Sequence, residues 1–132
     1  MRVNDEGEDF VIAPNDYNNG NLMSWNKAMG ALNAENLTTW NCHQMSLTIQ
    51  YRDEINNVLI DYGKNRLYKS YWTCEENPLD TAYAYFGHYD DESMYILDAD
   101  KGLSSYVRSI KNLKKEENDK MPYSNSKAFL ES

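Results

Sequence analysis

The segments Ser70-Tyr71-Trp72-Thr73-Cys74, Ala82-Tyr83-Ala84-Tyr85-Phe86, Ser93-Met94-Tyr95-Ile96-Leu97 and Tyr106-Val107-Arg108-Ser109-Ile110 decide the fold class. Each is short, rich in aromatic and β-branched residues, and patterned with a period near two, so each reads as a strand. Turn signals separate them at intervals of about a dozen residues, as in an antiparallel meander. In the loop Glu75-Glu76-Asn77-Pro78-Leu79-Asp80, Pro78 cannot donate to a ladder and pushes Asn77 out of the helical region. Residues 88–92 read as an acidic turn, and Asp98-Ala99-Asp100-Lys101-Gly102 as another.

Upstream of residue 70 the apolar period lengthens to that of helices. Ser24 is placed to cap a short helix whose stripe is Trp25, Ala28, Met29 and Leu32. A second helix, capped by Ser46 or Thr48, carries Leu47, Tyr51, Ile55, Val58, Leu59 and Tyr62 on one face. Asp53 and Glu54 suit its start and Gly63 its close. Further out, Asp9-Phe10-Val11-Ile12-Ala13-Pro14 reads as an entering strand, residues 15–21 as a surface loop, and Leu37-Thr38-Thr39-Trp40 as a brief β-prone piece. Two helices followed by a meander make an α+β layout, two helices packed on a twisted antiparallel sheet. Residues 1–113 form the expected domain. Residues 114–132, opening with Lys114-Lys115-Glu116-Glu117-Asn118-Asp119-Lys120, form a polar extension on which Ala128-Phe129-Leu130 is an apolar stretch able to dock back on the domain.

Composition bounds the function. The chain of 132 residues suits one domain, and 41% hydrophobic content supports a core. Thirteen Lys and Arg against 21 Asp and Glu leave a net charge of −8, which disfavours nucleic acid and anionic lipid as partners. No run reaches the ~18 apolar residues of a membrane span. The opening Met1-Arg2-Val3-Asn4-Asp5-Glu6 lacks the apolar centre of a signal peptide, so the chain is expected to be either cytosolic or a trimmed part of something longer. Eleven Tyr residues and frequent Asn are the residues of adaptable recognition surfaces, and equally of half-buried strands.

Catalytic and metal motifs are sparse. Cys42 and His43 are neighbours in sequence with no dyad motif around them. Cys42, His43, Cys74 and His88 lack the paired spacing of a zinc site, and residues 98–102 miss the EF-hand pattern. No cofactor is expected beyond a calcium ion on the loop carboxylates Glu75, Glu76, Asp90 and Asp91, for which the other reading is a solvated acidic rim. Glycine-rich phosphate loops, H-E-x-x-H and G-x-S-x-G are missing, so no enzymatic activity is expected. Cys42 and Cys74 are expected as two unbridged, poorly reactive thiols, a disulfide being the alternative.

Tyr71-Trp72-Thr73-Cys74-Glu75, Ala82, Ala84-Tyr85-Phe86, Lys101 and Tyr106-Val107-Arg108-Ser109-Ile110 resemble one bacterial pattern. It is a Tyr-Trp-Ser/Thr-Ser-Ser/Thr-Glu strand, a strand opening with Ala, a basic turn, and a closing Val-Arg-x-Val/Ile. Ser24-Trp25-Asn26-Lys27-Ala28 and Trp40 followed by Ser46-Leu47-Thr48-Ile49-Gln50 agree in order. Over residues 9–112 the chain thus resembles the C-terminal domain family of bacterial collagen-like adhesins (the Lcl C-terminal family). That resemblance implies a C-type-lectin-like fold and a recognition or adhesion module, on a cell surface or secreted, within a longer chain or surface assembly.

Its implied ligand is a glycan or a protein, bound by loops on a rigid sheet. The candidate contacts are Asn18, Asn19, Glu75, Glu76, Asn77, His88, Tyr89, Asp90, Asp91, Asp98, Asp100 and Lys101. Calcium-dependent sugar binding is not implied, because Glu76-Asn77-Pro78 has the wrong order and Trp40-Asn41-Cys42 lacks an acid. The other readings are a structural tip or cap of a fibre and, on the same fold, an enzyme of the formylglycine-generating type using both cysteines. Trp72 is expected as a core anchor. Arg108 is expected either at the surface or as the buried partner of a carboxylate.

Overall fold

A computed structural model describes residues 1–5, 7–89 and 94–113, without the side chain of Met94. Candidate residues Asp90 and Asp91 and the extension at 114–132 lie outside the described residues. The architecture is mixed α+β, with antiparallel sheets and three helices rather than the two expected.

The entering strand is the second half of a hairpin. β1 (Arg2–Asp5) pairs with β2 (Glu8–Ile12) in antiparallel register, Arg2 opposite Val11 and Asp5 opposite Glu8. Gly7 in the turn has φ +84°, a conformation that suits a residue without Cβ. The chain's last described strand, β8 (Ile110–Asn112), lies antiparallel along the other side of β2. The expected closing strand over 106–110 is therefore displaced. Tyr106 makes only a parallel bridge to Tyr71, and Val107 and Arg108 are both buried. Two successive inward side chains break the alternation of a two-faced strand.

Next, β3 (Met23–Ser24) pairs with β7 (Ser104–Ser105). Ser24 then occupies the N-cap position of α1 (Trp25–Ala34) in extended conformation, without a side-chain capping bond. Trp25, Ala28 and Leu32 of the expected stripe are buried.

The second expected helix is two. α2 (Cys42–Gln50) begins upstream of Ser46, where Asn41 accepts from the Gln44 amide and the Gln44 side chain returns the bond to the Asn41 N–H. This capping box satisfies two orphan donors at once. Thr48 is not a cap. It sits buried mid-helix, donating to the Met45 carbonyl at 2.7 Å, a back-bond that competes with the helical ladder. The path turns at Tyr51, and α3 (Arg52–Asp61) follows. Gly63 closes α3 as expected: its φ is +69°, and the Lys64 amide reaches back to the Leu59 carbonyl at 2.7 Å.

The meander is β4 (Ser70–Glu76), β5 (Tyr83–Tyr89) and β6 (Met94–Asp100) in that spatial order. All three strands outrun their sequence boundaries. His88 and Tyr89 belong to β5, and Asp98 to Asp100 to β6, so neither acidic stretch is wholly turn. Between Trp72 opposite Phe86 and Glu76 opposite Ala84 the β4 register slips, and the Thr73 hydroxyl donates to the Tyr85 carbonyl at 2.9 Å in the gap. Tyr71, Trp72 and Thr73 are all buried, Tyr71 and Trp72 in different apolar clusters.

The meander carries one of two apolar clusters, in which Trp72 packs with Trp25, Ala28, Leu32, Ala84 and Val107. Both indole N–H groups there are satisfied, Trp72 to the Met23 carbonyl and Trp25 to the Thr73 carbonyl, each at 2.8 Å. Trp72 is the expected core anchor. The larger cluster joins the β1–β2–β8 sheet to α2, α3 and Tyr71. Among the described residues no helix is long and apolar enough to cross a membrane.

Candidate functional site

Arg108 organises the site. Its side chain is fully buried, and its Nε and Nη2 lie 3.0 and 2.8 Å from Oδ1 of Asp16, itself only 4% exposed. Nη1 donates to the Ala13 and Asn65 carbonyls at 3.1 and 3.0 Å, and Nη2 to that of Arg66 at 3.4 Å. A guanidinium is the one side chain with enough donors, in a planar fork, to hold a carboxylate and several carbonyls together. Of the two expectations for Arg108, the buried partner of a carboxylate is correct.

That pin fastens together two loops, residues 13–21 and 63–69. The Asn65 amide also donates to the Pro14 carbonyl at 3.1 Å, and the Tyr17 amide to that of Val107 at 2.7 Å. At the tip of the first loop Asn18, Asn19 and Gly20 are all left-handed, with φ of +57°, +56° and +77°. Asparagine and glycine are the residues that reach this region most cheaply.

Between the loops lies a cleft of about 830 Å³, lined by residues that include Asn15, Asn19, Ile60, Lys64, Asn65 and Arg66, and floored by Asp16. Tyr68 and Lys69 complete its wall. The Arg66 guanidinium stands 4.5 Å and the Lys69 ammonium 5.3 Å from the Tyr68 ring centre, and Lys69 also lies 3.6 Å from the second Asp16 oxygen. Three cations thus border one cleft of a strongly acidic protein.

Of the expected contacts, Asn19 lines this cleft and Asn18 is its neighbour at the loop tip. A second group gathers at one end of the meander. Lys101 pairs with Glu76 at 3.1 Å and lies 4.4 Å over the Trp25 ring, while Asn77 donates to Asp98 at 2.8 Å. Asp100 accepts from the Gly102 amide at 2.7 Å. These residues are brought together, but mainly to hold one another. Glu75 faces away from them, accepting from the Cys42 amide at 2.9 Å at the first turn of α2, where a carboxylate complements the helix dipole.

Two expected contacts need correction or relocation. Tyr89 is fully buried, with its hydroxyl against Thr48 and 3.1 Å from the Met45 sulfur, so it is core and meets no ligand. As an inward member of β5 it could not be told from a turn residue by composition. His88 belongs to β5 and not to a turn, its Nδ1 2.6 Å from the Ser70 hydroxyl and its ring centre 5.2 Å from that of Tyr95, tilted by 36°.

Cys42 and Cys74 are free and partly buried. Burial, then the charge of Glu75, pushes the Cys42 thiol up to about 11, and the same two causes raise Cys74. Such thiols carry little nucleophilic thiolate near neutrality. Among the described residues no three His, Cys, Asp or Glu side chains converge on a metal position.

Sequence reasoning missed Lys64, Asn65, Arg66, Tyr68 and Lys69, and gave Asp16 no role beyond its place in the 15–21 loop. The available signal was the dense run Lys64-Asn65-Arg66-Leu67-Tyr68-Lys69 directly after a helix-closing glycine. No family model matches the chain, and no curated protein matches it.

Proposed function

We propose that the chain is a non-catalytic recognition module with a C-type-lectin-like fold, displayed on a cell surface or secreted, that binds a glycan or protein ligand through its loops. The observation that carries this reading is the cleft between residues 13–21 and 63–69, whose two walls are held by the buried Arg108 and Asp16. A rigid interior holding irregular loops around an open polar cleft is the usual build of a binding site. The lectin-like fold is supported by the burial of Tyr71, Trp72, Val107 and Arg108, the residues on which the family resemblance rests. The raised thiols weigh against a cysteine-based enzyme.

A glycan and protein array, probed with and without calcium, tests the proposal. Specific, saturable binding that Arg108-proximal loop variants abolish is the expected result. Binding to nothing on either array overturns it. The fibre-cap reading rests on a different observation: β6 pairs only with β5 among the described residues, and Tyr95 and Leu97 on it are exposed. An open strand edge with apolar side chains favours strand-to-strand assembly, and concentration-dependent oligomers on sizing would carry that reading instead.

A further inference from the structure

We infer that the cleft between residues 13–21 and 63–69 binds an acidic peptide segment of a partner protein, with carboxylates on Lys64 and Arg66 and an apolar side chain against Ile60 and Tyr68. This rests on the recognition-module reading and names its ligand class. Charge complementarity is the first argument. Among the described residues neither Lys64 nor Arg66 makes an ion pair, and both are exposed at the cleft wall. Asp16 does not neutralise them, because its two oxygens are already taken by Arg108 and Lys69. Arg66 is steadied by the Tyr68 ring at 4.5 Å, which lowers the entropy lost when its fork closes on a carboxylate.

The remote acidic surface does not cancel this local field, since charges beyond about 8 Å are screened at physiological salt. The lining then separates a peptide from a charged saccharide. Ile60 is 54% exposed and Tyr68 48%, which gives an apolar seat beside the cations. A sugar can lay a C–H face on Tyr68 but carries no aliphatic side chain for Ile60, whereas a peptide of mixed acidic and apolar side chains fills both. Asn15, Asn19 and Asn65 supply amides for its main chain.

The test is fluorescence anisotropy with a fluorescein-labelled octapeptide of alternating glutamate and leucine. Lysine–leucine and glutamate–serine peptides and a labelled hyaluronan oligosaccharide serve as comparators. Saturable binding of the glutamate–leucine peptide is expected. It should weaken by at least ~10-fold in Lys64→Glu/Arg66→Glu and at high salt, and hold in Lys111→Gln, which removes an exposed cation on β8 outside the cleft. Both reversed side chains are exposed, so melting should be unaffected. If the reversed protein does not fold, Lys64→Gln/Arg66→Gln gives the same comparison.

Equal binding by the charge-reversed protein overturns the proposal, as does equal binding of the lysine–leucine peptide. Hyaluronan binding as tight as the peptide assigns the cleft to acidic saccharides and overturns it too. An array ligand that still binds while the glutamate–leucine peptide does not overturns only the ligand class. Loss of both removes the recognition reading as well.

Discussion

A single side chain, Arg108, joins residues that are far apart in sequence, and its substitution should be disproportionately costly. Arg108→Met leaves the Asp16 carboxylate buried with only Lys69 at 3.6 Å, and strips donors from three carbonyls. Breaking a buried pair from one side costs about 3–5 kcal/mol, because the abandoned charge stays desolvated. Denaturant melts of Arg108→Met, Asp16→Asn and the double variant measure it. The double variant should lose less than the two singles together, and a single-variant loss below about 1 kcal/mol would refute the pin. The cysteines give a second prediction at this scale. With the Cys42 thiol pushed up to about 11, its native labelling at pH 8 should be on the order of a hundredfold slower than for an ordinary thiol, and Cys74, also raised, should be slowed too. Denaturation should expose two fast thiols. Fast labelling in the native state contradicts their burial, and no labelling after denaturation reveals a disulfide.

Between elements, α2 and β5 approach closely at Gly87. A Cβ there would sit 2.3 Å from the Met45 sulfur and 2.8 Å from its Cγ, so rotating the methyl end alone does not relieve it. Met45 is buried against Thr48 and Tyr89. Gly87→Ala should cost about 1–3 kcal/mol by overpacking, and Met45→Ala should make the same change nearly free. Strict additivity of the two in urea melts would exclude the contact. Gly87 also illustrates what a sequence conceals: in a run ending His88-Tyr89-Asp90 a glycine reads as turn punctuation, yet here it is a mid-strand residue making room for a helix. Local signals served better. The Trp25, Ala28 and Leu32 stripe and the Gly63 stop depend on neighbours within a turn or two, and both were legible. The start of α2 was legible in principle through Asn41 and Gln44. The split at Tyr51 was not, because no proline or glycine marks it. The cleft was the least legible feature, since Asp16 and Arg108 meet across 92 residues and nothing in the sequence pairs them.

For the molecule as a whole, buried acids that stay protonated set its behaviour in base. Burial raises the hydroxyls of Tyr71 and Tyr89 above the usual tyrosine range, and the two thiols shift the same way. A raised native value means that the unfolded chain gives up its proton first. Stability is therefore complete below the unfolded values and is lost as pH climbs toward the native ones. A fully shielded group contributes about 1.4 kcal/mol per pH unit within that window, and these partly shielded ones less. Thermal melts should fall above about pH 9, with tyrosinate absorbance from the two buried rings appearing only on unfolding. A melting temperature unchanged to about pH 11 would contradict this. The β1–β2–β8 sheet has another consequence, a mechanical one. β1 and β8 both run antiparallel to β2, so they run parallel to each other, with Arg2 beside Val11 and Asn112 beside Phe10. Residues 2 and 112 sit one rung apart on opposite sides of β2, so tension between them pulls across the three strands and not along them. The rungs at Val11 and Phe10 carry the load first, and each ladder opens rung by rung from there. A tether attached at those two points meets a soft direction of the sheet.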